Sequence, residues 1–196
     1  MQGFRQGWAA VAALLLAVAA QAAPVTVSGV RYDDTAEVRG ARLHLNGAGT
    51  RYKAVFKVYT AGLYLPRKAS TTEEVLAMPG AKRLSITMLR DIDSSELGKL
   101  FSRGMEDNMD RSAFSKLIPG VLRMSQIFSE HKRLNAGESF TLEWVPGTGA
   151  IVSVRGVPQG EPFKEPEFFA ALLRIWLGPA PADWKLKDAL LGKAAG

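Results

Sequence analysis

Arg51-Tyr52-Lys53-Ala54-Val55-Phe56-Lys57-Val58-Tyr59-Thr60-Ala61-Gly62-Leu63-Tyr64-Leu65 is the stretch whose reading decides the fold. Its density of β-branched and aromatic residues, stopped by Pro66, predicts extended chain. On a strand, residues of equal parity share a face. Tyr52, Ala54, Phe56, Val58 and Thr60 therefore fall on one side, and Arg51, Lys53, Lys57 and Tyr59 on the other, among Val55, Ala61 and Leu63. A face with three cations and a phenol is either solvated or lines a cleft that holds an acid. Parity alone favours the solvated reading.

Working outward, Arg42 to Asn46 alternates polar and apolar residues and reads as a preceding strand, with Gly47-Ala48-Gly49 read as the turn between the two. A short helix is predicted around Thr72 to Met78. Arg83 to Leu89 returns to strand, with Leu84, Ile86 and Met88 on one face. Asp93, with Glu96 three residues on, gives a capping-box-like helix start, and Leu97, Leu100, Phe101 and Met105 form the stripe of that helix. A second helical stretch runs from about Ser112 to Lys132 with Phe114, Leu117, Ile118, Val121 and Leu122 on one face. The Pro119-Gly120 pair in its middle is expected to kink or split it. Ser139 to Val145 and Ile151 to Arg155 flank a Gly-containing loop and form a hairpin. A helix from about Glu165, with Pro166 in its first turn, carries Phe168, Phe169, Leu172, Leu173 and Trp176 on one side and ends at Gly178. A last short helix covers Asp183 to Leu191. Grouped strands, helices, a hairpin and more helices define an α+β protein, an antiparallel β-sheet with a layer of helices on one face.

The N-terminus has one cation, Arg5, then an uncharged run from Trp8 to Ala20 and a small-residue site at Ala20-Gln21-Ala22. That is the profile of a secretory signal, too short to span a bilayer. The expectation is a cleavable leader over residues 1–22, one domain over residues 23–196, and a periplasmic location. Every apolar run after Val25 is interrupted within a few residues.

The absence of cysteine excludes disulfides, thiolate catalysis and thiolate metal sites. His44 and His131, far apart and without acidic neighbours at ligand spacing, do not suggest a metal site and read as surface residues. No Gly-x-Ser-x-Gly elbow is present. The two Gly-x-Gly segments precede strands, whereas phosphate cradling needs a following helix N-terminus. The formal net charge of +6 is spread along the chain, without the clusters and interleaved aromatics of nucleic-acid binders. It suits an anionic ligand or a transient contact with a membrane surface.

Four segments carry a resemblance: Asn46-Gly47-Ala48-Gly49-Thr50-Arg51, Lys57-Val58-Tyr59-Thr60-Ala61-Gly62-Leu63-Tyr64-Leu65, Leu89-Arg90-Asp91-Ile92 and Ile175-Trp176-Leu177-Gly178. In this order they resemble the chalcone isomerase-like family over about residues 40 to 192, and most of all its exported bacterial members. The resemblance implies an antiparallel sheet, a helical layer and a ligand cleft between them. In the plant enzymes an Arg at the position of Arg51 polarises the substrate carbonyl. In the fatty-acid-binding branch the same Arg, with a Tyr at the position of Tyr59, is implied to hold a carboxylate. The helical Tyr and Asn of the enzymes have no counterpart around Phe114 to Val121, and Ile175 stands where they carry a hydroxyl residue.

The resemblance therefore implies a binder of a fatty acid or similar small amphipathic carboxylate through Arg51 and Tyr59, without cofactor, metal or catalysis. The alternative is a cofactor-free isomerase of chalcone-like or other enone substrates with Arg51 as catalytic electrophile. A third reading makes the chain a partner-binding module in which Arg51 only pairs with an acidic neighbour. On a straight strand Arg51 and Tyr59 would stand about 26 Å apart. A shared site requires the chain to reverse between Lys53 and Phe56.

Overall fold

The computed structural model describes residues 23–193; the expected leader lies outside them. The described chain begins with two short strands, β1 (Val25–Val27) and β2 (Val30–Tyr32), paired as a small hairpin. There follow β3 (Thr35–Val38), β4 (Ala41–Lys53), β5 (Phe56–Leu65), helix α1 (Thr72–Ala77) and β6 (Lys82–Met88). The helical section is entered through β7 (Ile92–Asp93) and consists of α2 (Ser94–Glu106) and α3 (Arg111–Ser129), closed by β8 (Arg133–Leu134). Next come β9 (Ser139–Val145), β10 (Gly149–Val154) and β11 (Val157–Pro158), then α4 (Pro166–Leu177) and α5 (Trp184–Leu190). Seven strands form one sheet in the order β11-β10-β9-β6-β5-β4-β3, with every neighbouring pair antiparallel. The α2–α3 section is thus inserted between two strands, β6 and β9, that lie side by side.

Sequence pattern explains the layering. β6 alternates strictly, with Lys82, Leu84, Ile86 and Met88 buried and the residues between them half-buried. Leu97, Phe101 and Met105 of α2 and the apolar stripe of α4 pack onto the same core as Leu84, Ile86 and Met88. The rings of Phe101, Phe128 and Phe140 cluster at its centre, with centroids 5.0 to 5.8 Å apart. A smaller core on the opposite face joins Tyr32, Leu43, Leu45 and Tyr64. Here β1–β2 acts as a cover: Gly62 of β5 leaves room for the Tyr32 ring, which a Cβ at that position would approach to 2.5 Å.

Three sequence expectations need correction. Gly47-Ala48-Gly49 is no turn; it lies inside β4, which runs unbroken from Ala41 to Lys53. The two glycines are required by contact, because a Cβ on Gly47 would lie 1.9 Å from the Ala189 carbonyl oxygen of α5. Pro119-Gly120 does not split its helix, since α3 continues from Arg111 to Ser129. Instead Gly120 is a notch for the Phe168 ring, 2.7 Å from where a Cβ would sit. The stripe of α3 also turns differently: Leu117, Val121, Met124, Ile127 and Phe128 are buried, while Ile118 and Leu122 are exposed. Asp93 caps α2 through the Ser95 amide. No helix among the described residues is long and apolar enough to cross a membrane.

Candidate functional site

The chain reverses at Ala54-Val55, between β4 and β5, without glycine or proline. Ala54 makes the turn by adopting φ of 54°, a left-handed conformation that a non-glycine residue seldom takes. The reversal makes Arg51 and Tyr59 direct cross-strand partners, where side chains on one face are neighbours. The ladder is irregular between Arg51 and Tyr52. Tyr52 pairs with Lys57 and Arg51 with Tyr59, so Val58 is the extra residue. Such a bulge breaks strict alternation. Val58 and Tyr59 both belong to the helix-side core, so the parity reading of this face as solvated holds for the exposed Lys53 and Lys57 and fails at Tyr59. Tyr59 is only 3% exposed.

Arg51 and Tyr59 line one cavity of about 330 Å³ between the sheet and the helices. Its floor and walls are Leu97, Leu100 and Phe101 of α2, Phe140 of β9, and Ile175 and Trp176 of α4, with Gly104 opposite Ile175. Residues 180–182 form another side. They are held by Asn108, whose amide donates to the Gly104 and Ala180 carbonyls and accepts from the Ala180 N–H, each at 2.8 Å. A Cβ on Gly178 would collide with this Asn108 side chain. That contact is a physical reason for glycine at the end of the Ile175-Trp176-Leu177-Gly178 segment. Lys53, Arg103 and Asp107 complete the lining. Three cations against one carboxylate give the cavity a positive bias, which raises the local concentration of anions.

The polar groups are arranged asymmetrically. Trp176 donates its indole N–H to the Tyr59 hydroxyl at 2.7 Å, while the phenol's own O–H has no acceptor among the described residues. An unused donor in a buried site is unfavourable until a partner supplies the missing bond. Burial pushes the Tyr59 pKa up, and the nearby Arg51 charge only partly opposes this. At neutral pH the group is therefore a phenol, a donor. The Arg51 guanidinium carbon lies 5.4 Å from the centre of the Tyr59 ring, and its Nε makes one long contact, 3.5 Å, to the Ala182 carbonyl. No ion pair among the described residues involves Arg51. Asp183, the nearby acid, instead caps α5 through the Lys185 and Leu186 amides and accepts from the Tyr52 amide at 2.8 Å. Arg51 and Lys53 also border a second hollow of about 170 Å³ with Arg90, Asp91 and Glu96.

A family model described as chalcone isomerase-like matches residues 24–192. The chain belongs to this family. No curated protein matches it. Among solved structures it is similar to a fatty-acid binding protein of Arabidopsis thaliana, with a TM-score of 0.67 over 83% of this chain and 92% of that one, at 13% identity. This likeness shows the family's fold in the present chain: the curled antiparallel sheet with its helical layer, as the sequence pattern implied. The sequence placed Trp176 only in an apolar stripe, whereas its indole nitrogen orients Tyr59. Lys53 shared the cationic face read from parity but was not singled out as a site residue, and Asn108 and Arg103 were not anticipated at all. A buried asparagine at a helix end has no signature of its own in a single sequence.

Proposed function

We propose that the protein binds a fatty acid or a similar small amphipathic carboxylate in the cavity beside Arg51 and Tyr59, in the periplasm and without catalysis. The observation that carries the reading is a guanidinium with no ion-pair partner and a phenol with an unused proton, both bordering a mostly apolar hollow. A guanidinium offers two parallel donors to a carboxylate, and the phenol adds a third bond. Each charge-assisted bond of this kind contributes about 1.5 to 3 kcal/mol when sheltered. The walls of Leu97, Leu100, Phe101, Phe140 and Ile175 suit an acyl chain, whose burial adds about 0.8 kcal/mol per methylene. The head sets orientation and the tail supplies much of the affinity. The cavity volume lies at the lower end of small-molecule sites, which span roughly 300 to 1,000 Å³, and so suits a short or medium chain.

The same two donors would also polarise a carbonyl oxygen, the role Arg51 would have in an isomerase. What disfavours that alternative is the lack of a counterpart to the enzymes' helical Tyr and Asn around Phe114 to Val121, together with Ile175, which borders the cavity where the enzymes carry a hydroxyl residue. The test is mass spectrometry of small molecules released from protein purified out of the producing cells. A carboxylic acid present in stoichiometric amount in the wild type and depleted in Arg51→Ala is the expected result. Chalcone turnover that vanishes in Arg51→Ala, with no acid released from the wild type, would replace this reading by the isomerase.

A further inference from the structure

The turn that brings Arg51 to Tyr59 is unusually greasy on its outside. Val55 is 82% exposed, and Phe56, 62% exposed, stands beside it. The neighbouring Tyr52 is tied through its amide to Asp183, next to which Trp184 is 60% exposed. Half of the exposed large hydrophobic residues among the described residues thus gather at one end of the molecule. Solvent-exposed apolar residues grouped in this way mark an interaction surface.

Cations frame this patch. Lys53, Lys57, Arg90 and Lys185 are exposed around it, and the Arg90 guanidinium lies 5.8 Å from the Phe56 ring centre. Lys187 stacks on Trp184 at 5.1 Å. Of the nearby acids, Asp183 is bound to three backbone amides, Asp91 is engaged by Arg133 and the Ala136 amide, and Glu96 shares the second hollow with Arg90 and Lys53. Aromatic and aliphatic tips interleaved with lysine and arginine are the chemistry of a group that settles into the headgroup layer of an anionic bilayer. Each basic group near such a surface adds to the attraction, which falls off within a Debye length.

Position links this surface to the cavity. Arg51 and Lys53, on the same hairpin as Val55 and Phe56, line the hollow, as does Ala182, two residues before Trp184. We infer that the β4–β5 turn and Trp184 dock the protein on an anionic lipid surface, with the cavity at the contact. The inference rests on the acid-binding reading for its purpose, since a ligand could then pass between bilayer and cavity without crossing water. The docking itself does not depend on that reading.

The experiment is sedimentation of delipidated protein, lacking the leader, with vesicles of mixed phosphatidylglycerol and phosphatidylcholine, and with phosphatidylcholine alone. Binding should be confined to the anionic vesicles and fall as salt is raised. The Val55→Ser/Phe56→Ser variant should partition roughly tenfold more weakly, with its circular dichroism and its affinity for octanoate in solution unchanged. Absence of wild-type binding to anionic vesicles, or equal binding by the variant, would overturn the inference. So would a self-association that the variant abolishes, without vesicle binding, which would assign the patch to a second copy of the chain. Octanoate binding that persists without vesicle binding removes only the docking surface. Vesicle binding without octanoate binding removes only the proposed ligand.

Discussion

The two faces of strand β5 each bury a phenol, and the two phenols live differently. On the face covered by β1–β2, Tyr64 donates to the Asp33 carbonyl at 3.1 Å, and Tyr32, which covers Gly62, donates to Thr60 at 2.8 Å. On the helix side, Tyr59 accepts a bond from Trp176 and gives none away, and space remains beside it. One face is closed by side chains whose hydrogen bonds are complete. The other keeps a donor unused next to a cation and a hollow, an arrangement that contributes less to stability than to recognition.

The difference can be broken from the closed side first. Tyr32→Ala removes a buried ring packed over Gly62 and should lower the unfolding free energy by about 3 to 5 kcal/mol, the range for large aromatics, in urea titrations. The fraction that stays folded should retain wild-type affinity for octanoate.

On the open side, Tyr59→Phe should reduce octanoate affinity by about 1.5 to 3 kcal/mol, one hydrogen bond to a charged group. It also leaves the Trp176 N–H without its acceptor, so a loss of stability of similar size is expected. Tyr32→Phe should show the stability loss alone. If the two variants behave alike in titration calorimetry, the contrast between the faces has no functional content.

A smaller effect concerns alkaline pH. Burial, with the charges of Asp33 and Asp34 among the lesser causes, pushes the Tyr64 pKa up from 10.0 to about 12. Because the folded state holds this proton more tightly than the unfolded one, its contribution is fully present below pH 10. It is lost as pH rises through about 12. Tyr64→Phe should flatten this alkaline decline in stability-versus-pH curves.

Much of this architecture was legible in the sequence, for reasons tied to particular residues. The alternation in β6, the stripes of α2 and α4, and the hairpin of β9 and β10 all report burial periodicity, and the structure follows them. The failures occur where a distant element overrides a local signal. Gly47 and Gly49 look like a turn, yet the approach of α5 explains them. Gly120 looks like a helix breaker, yet it accommodates Phe168. Ile118 and Leu122 look buried, yet the turn of α3 leaves them in solvent. The reversal at Ala54-Val55 lacks the usual turn residues, so parity ran straight through it and put Tyr59 on a wet face. Arg51 and Tyr59 were legible only by resemblance. Trp176 and Asn108, which orient the phenol and hold one wall of the cavity, act through contacts more than seventy residues apart in sequence, which no local pattern encodes.

The central claim is that Arg51 holds a carboxylate in an apolar hollow. Calorimetric titration of delipidated wild type and Arg51→Ala with octanoate tests it most directly. The account predicts one site in the wild type and a ten- to hundredfold weaker one in the variant, equivalent to about 1.5 to 3 kcal/mol, with urea unfolding little changed. Equal affinity in the two proteins, or no heat of binding in the wild type, would contradict it.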